Sequence, residues 1–288
     1  MRSSQIRSVY DFTMLSTVIM IVTLIGCSSI FLYLFGKDTA NIFMIYAQMQ
    51  STNSSQSGQK VSFLTDDGVL IVGTYYSHSS SHQTAPTNAI ILLHMLGRNR
   101  NDWNTFASTL SNRSNGLAVL SIDLRGHGES INQNGKTISF QSFTPTDFNK
   151  MVLDVKAAKH FLVTQKNIST NNIAIVGASI GANVGLKYAA SDPSIKAVVL
   201  LSPGLNYKGV TTSDSIRKYI NPIYIATAGK DPIAGSDPQT LCNEINCGNR
   251  LKAYQDSNSH GTDMFSDSSL NPSLDNLIIS WLALGKSK

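Results

Sequence analysis

Residues 173–190 read IAIVGASIGANVGLKYAA. Ile173–Val176 is a short, continuous apolar run, the pattern of a strand buried on both faces. Ala182–Ala190 has a helix-like composition. Between them lies Gly177-Ala178-Ser179-Ile180-Gly181, which places Ser179 at a strand-to-helix turn. The pattern G-x-S-x-G is weak alone, but strand, turn and helix in this order are the setting it requires. A tight, strained turn leaves no room for bulky neighbours, which explains Gly177 and Gly181. The turn lifts the serine oxygen above the sheet edge. It also aims the Ile180 N–H and the positive end of the following helix at negative charge developing nearby.

Similar apolar runs recur on either side. Ala89–His94, Leu117–Asp123, Ala197–Ser202 and Pro222–Thr227 read as buried strands, and Arg250–Gln255 as the last one. Lys60–Leu64 and Val69–Tyr76 flank Asp66-Asp67-Gly68, a hairpin signal. Thr146–Thr164 carries Phe148, Met151, Val152, Val155, Ala158 and Phe161 at helical spacing, and Leu270–Leu284 reads as a closing helix. Strands alternating with helices predict an α/β fold, a parallel sheet with helices on both faces.

A serine hydroxyl needs a base before it becomes a useful nucleophile. Of six histidines only His260 follows Ser179, in a polar loop after the last predicted strand. The third group, an acid that orients the histidine, is expected between serine and histidine in this architecture. Asp231, in Gly229-Lys230-Asp231-Pro232 just past the run Pro222–Thr227, is the best placed, with Asp256 and Asp263 as alternatives. A second oxyanion donor is expected from His94-Met95-Leu96-Gly97, with the Leu96 N–H first and the Met95 N–H as alternative. His94 precedes Ser179 and is expected to brace that loop.

Composition narrows the function classes. The net charge is +5, yet no basic run or basic-aromatic stripe exists, so nucleic acid is not an expected partner. Neither G-x-G-x-x-G nor G-x-x-x-x-G-K-[ST] occurs, which removes the common nucleotide-binding readings. Without CxxC or HExxH, no metal is expected. Cys242 and Cys247 are either a disulfide, if the compartment is oxidising, or two free thiols.

Five segments together resemble the α/β-hydrolase superfamily across roughly residues 60–286. They are His94-Met95-Leu96-Gly97, Asp123-Leu124-Arg125-Gly126-His127-Gly128-Glu129-Ser130, the Ser179 turn, Gly229-Lys230-Asp231 and Ser259-His260-Gly261. The resemblance implies a mostly parallel eight-stranded sheet and a triad of Ser179, Asp231 and His260. It also implies a structural rather than catalytic role for His127, and no cofactor. Many relatives have glycine where Met95 stands, and many carry a helical lid between the sixth and seventh strands. Here about twenty residues separate Ser202 from Pro222, too few for a lid. The outline is similar to lidless esterases and dienelactone-hydrolase-like members. The expected function is hydrolysis of a small ester through an acyl-enzyme. A peptidase or amidase on the same triad and a non-catalytic binding protein are the alternatives.

Residues 12–35 are uncharged and long enough to span a bilayer. Arg2 and Arg7 precede them, so the positive-inside rule puts the N-terminus in the cytoplasm and the body outside. Leu24-Ile25-Gly26-Cys27 offers a rival, lipidation at Cys27. The expected organisation is an anchor at 1–36, a polar linker at 37–59 and a catalytic domain at 60–288. Asn53, Asn112 and Asn167 lie in N-x-[ST] motifs, which would be glycosylation acceptors outside the cell.

Overall fold

The computed structural model describes residues 58–77, 86–113 and 117–284. The apolar runs become strands β1 (Gln59–Leu64), β2 (Val69–Ser77), β3 (Asn88–Leu93) and β4 (Leu117–Ile122). They continue as β5 (Ile173–Ala178), β6 (Ile195–Leu201), β7 (Ile223–Ala228) and β8 (Leu251–Tyr254). These eight strands lie in the order β1-β2-β4-β3-β5-β6-β7-β8. The β1–β2 and β2–β4 pairs are antiparallel and the rest parallel. A two-residue ladder, Asn132–Gln133 with Lys136–Thr137, pairs with the start of β2 and adds to the eight expected strands.

Helices cover both faces because the central strands bury both. Along β3, Ile91 and Leu93 join one apolar cluster, and Ile90 and Leu92 the other. The first cluster is closed by α3 (Val152–Lys166), α4 (Ile180–Ser191), α5 (Ser213–Lys218) and α6 (Asp237–Glu244). The second is closed by α1 (Asn104–Arg113) and α7 (Leu274–Leu284). Each fully buried Leu or Ile contributes about 1.5–3 kcal/mol of transfer free energy.

Two predicted helices are shorter than expected. Thr146–Thr164 is split into α2 (Pro145–Asn149) and α3. Between them Lys150, Met151, Leu153 and Asp154 make i→i−3 bonds, and the tightened turn leaves Met151 and Asp154 fully buried. At the C-terminus α7 begins at Leu274 rather than Leu270, after Pro272, which has no N–H to give a helix. β1 begins at Gln59, the last residue of the expected linker. The expected span 12–35 lies outside the described residues, and among those described no helix is long and apolar enough to cross a membrane. The segment between β6 and β7 holds only a two-stranded ribbon, Asn206–Tyr207 with Val210–Thr211, and α5.

Candidate active site

Ser179 stands between β5 and α4 with φ +53 and ψ −123, a conformation costly for any residue with a side chain. The surroundings hold it there. Its N–H donates to Leu201 O at 2.8 Å, and its carbonyl accepts from Ala182 N at 2.9 Å. A Cβ on Gly177 would lie 2.3 Å from Gly181 O, and one on Gly181 would lie 2.5 Å from Leu93 O. Both glycines are therefore demanded by backbone packed against backbone, as the motif predicts.

His260 follows β8 and meets Asp231, which follows β7. Nδ1 of His260 lies 2.8 Å from Oδ2 and 3.0 Å from Oδ1 of Asp231. Asp231 Oδ1 also accepts the N–H groups of Ile233 and Ala234 at 2.9 and 3.0 Å. Burial alone would raise this carboxyl. Hydrogen bonds from His260, Ala234 and Ile233 oppose burial and hold it below its ordinary value, so it is charged at neutral pH. With Nδ1 turned to Asp231, Nε2 of His260 is buried and has no hydrogen-bond partner among the described residues. The carboxylates of Asp256 and Asp263 make no bond to the His260 ring; they are exposed and pair with Lys230 and Arg98.

The loop after β3 closes the other side. Met95 O accepts from Arg98 N in a four-residue turn whose third residue, Gly97, has φ +73. Nε2 of His94 accepts from Leu124 N at 3.0 Å, so the ring proton sits on Nδ1 and donates to Met95 O at 2.7 Å. Burial pushes His94 down to about 4, so this clamp is neutral. The N–H groups of Met95, Leu96 and Ile180 donate to no acceptor among the described residues. Arg98 reaches Asp263 at 3.4 Å and Thr262 Oγ1 donates to Asp102 at 3.2 Å, tying this loop to the His260 loop. Ser257 and Ser259 donate to Asp267, which fixes the approach to His260. Among the described residues no cluster of His, Cys, Asp or Glu is arranged to hold a metal ion.

Three participants escape a reading of the sequence. Ser202 directly follows β6, fully buried, with φ +47, and its Oγ accepts from Gly261 N at 3.0 Å. The Tyr207 ring meets His260 edge to face, with centroids 6.3 Å apart, and its O–H donates to Ser202 O. Gly261 has φ +53, and a Cβ there would lie 2.3 Å from Met95 Sδ. The departure at position 95 is thus accommodated by the absence of a side chain at 261. Only the position of Ser202, at the carboxyl end of the strand beside the serine strand, could have singled it out.

Comparison with known proteins gives a consistent picture. The family model described as "Serine aminopeptidase, S33" matches residues 84–228, half of the chain and inclusive of Ser179. No curated protein matches in sequence. An esterase from Pyrococcus furiosus superposes with a TM-score of 0.60 at 16% identity, covering 78% of this chain and 92% of its own. An acetyl xylan esterase from Paenibacillus sp. R4 gives 0.58 at 18% identity, covering 78% and 82%. An esterase from Exiguobacterium antarcticum gives 0.58 at 14% identity, covering 78% and 100%.

Proposed function

Because the chain belongs to the serine aminopeptidase S33 family of α/β-hydrolases, we propose that it hydrolyses a small ester through an acyl-enzyme on Ser179, with His260 as base and Asp231 as its orienting acid. The observation that carries this reading is the Asp231–His260 pair with a buried, unpartnered Nε2, on a loop whose Gly261 packs against Ala178, the residue before the strained Ser179. Nε2 takes the proton as Ser179 Oγ attacks the carbonyl carbon. The negative oxygen that forms is held by the Ile180 N–H and by an N–H of the β3 loop, Leu96 or Met95. Imidazolium then protonates the leaving alcohol, and water, activated by the same imidazole, releases the acid. In apo enzymes the serine–histidine bond is commonly long and tightens with substrate. No hydrogen bond joins Ser179 to His260 here.

The short β6–β7 connection supports small substrates, since it holds the ribbon and α5 and no larger helical insertion. The superposed structures named as esterases support ester over amide. The family description, a serine aminopeptidase, favours the second reading, cleavage of a peptide N-terminus. We further infer that residues 12–35 anchor the chain with the body outside the cytoplasm. The Cys242–Cys247 disulfide supports that placement, because such bonds persist in oxidising compartments.

The test is turnover of p-nitrophenyl esters from acetate to palmitate and of aminoacyl p-nitroanilides by the full chain in detergent. Ester turnover is expected to be highest for short acyl groups and to fall at least about 1,000-fold in Ser179→Ala. Anilide turnover without ester turnover would establish the peptidase reading. Neither turnover nor fluorophosphonate labelling of a folded protein would leave a non-catalytic binding protein.

A further inference from the structure

In the sheet β6 lies between β5, which leads to Ser179, and β7, which leads to Asp231. The chain leaving β6 therefore rises through the centre of the candidate site, and it carries Tyr207. Tyr207 and Val210 pair across a two-residue turn, Lys208-Gly209, whose φ values are +54 and +86. This tight turn matches the twist of a two-stranded ribbon. One buried side chain fixes the ribbon to the helix that begins after the nucleophile. Asn183 of α4 gives Nδ2 to Val210 O at 2.8 Å, and its Oδ1 accepts Gly204 N at 3.1 Å. Asn149 of α2 donates to Gly209 O at 2.9 Å. The Tyr207 ring is wedged in turn. A Cβ on Gly204 would lie 2.5 Å from its Cζ, its O–H donates to Ser202 O at 3.2 Å, and it meets the His260 ring edge to face. Tyr207 is half-buried, so part of this fixed side chain is still presented outward.

The chemistry decides which part of a substrate meets that ring. A general acid must stand within hydrogen-bond reach of the atom it protonates. His260 protonates the leaving oxygen, so the departing alcohol lies on the His260 side and the acyl group extends away from it. We propose that Tyr207 is a specificity-determining residue that bounds the alcohol side of the site and restricts the substrate to esters of small alcohols. This rests on the serine hydrolase reading above. A wall held through both strands of its ribbon does not turn aside for a longer alcohol, so added length displaces the carbonyl from Ser179.

The discriminating variant is Tyr207→Leu, which removes the ring and keeps an apolar side chain. Ethyl and hexyl acetate, followed by acid release with the full chain in detergent, differ only in the alcohol. The ratio of kcat/KM for hexyl over ethyl acetate is expected to rise about 10-fold or more in Tyr207→Leu. The octanoate-to-acetate ratio for p-nitrophenyl esters is expected to stay within about twofold, because there the alcohol is constant. Tyr207→Phe keeps the ring and loses the bond to Ser202 O, and its hexyl-to-ethyl ratio is expected within about twofold of wild type. Tyr207→Trp enlarges the wall and is expected to lower that ratio, which keeps the test open if Tyr207→Leu does not fold. A ring that only steadied His260 would change both acetates by the same factor. An unmoved hexyl-to-ethyl ratio in an active Tyr207→Leu protein would therefore overturn the proposal, and so would an acyl ratio that moves in its place. If anilides alone turn over, the leaving amine takes the alcohol's place, and the ratio of alanine 2-naphthylamide to alanine p-nitroanilide reads the same wall. A folded wild type with neither turnover nor fluorophosphonate labelling would refute the hydrolase reading itself, and the proposal with it.

Discussion

At the residue scale the site depends on charge held where burial opposes it. Asp231 is buried, and donors from Ile233, Ala234 and His260 keep it ionised. Asp231→Asn removes the charge at nearly constant shape. It is expected to cut kcat about 1,000- to 10,000-fold by losing the orienting acceptor for Nδ1. The sign of the stability effect follows from the lowered pKa. A depressed carboxylate stabilises the fold above the ordinary carboxylate range and loses that contribution as pH falls through its folded value. The wild type should therefore be the more stable at neutral pH, and the gap should shrink on acidification. Thermal midpoints across that range measure it, and a gap that widens at low pH would contradict the assignment. Ser179, Asp231 and His260 can be nominated from the sequence because chain order and strand ends narrow the candidates. Ser202 and Tyr207 cannot. Their meaning arises only when β6 and its ribbon are folded beside the loop after β8, and no local pattern records that.

At the scale of elements the sheet was legible because both-face burial writes itself as unbroken apolar runs, as in Ile90–Leu93. The split of α2 from α3 was not, because helical spacing continues through Met151 while a tertiary contact sets the break. That contact is Arg125. Its Nε donates to Asp154 at 2.8 Å on α3, and its guanidinium grips Asp67 in the β1–β2 turn at 2.7 and 2.9 Å. The side chain joins three elements, and Asp154 is fully buried beside it. Arg125→Met should destabilise the protein by roughly 3–5 kcal/mol, since it strands a buried carboxylate. Urea denaturation gives the value, and a loss below about 1 kcal/mol would mean that the pair is dispensable.

On the scale of the whole molecule, the residues of the candidate site sit past the carboxyl ends of parallel strands, the edge where α/β sheets place their ligands. β3, β5, β6, β7 and β8 contribute His94–Leu96, Ser179, Ser202, Asp231 and His260 in turn. If residues 12–35 anchor this body, the full chain should remain in the membrane pellet after alkaline carbonate extraction, and a chain beginning at Gly58 should not. Release of the full chain by carbonate would refute the anchor. The contact between Met95 and Gly261 has a further consequence for ancestry. The two positions lie near opposite ends of the fold's sequence and share one volume. A side chain at 261 would push the Met95 thioether out of its place, so methionine at 95 favours glycine at 261. Among relatives, bulk at one of these positions should therefore go with its absence at the other.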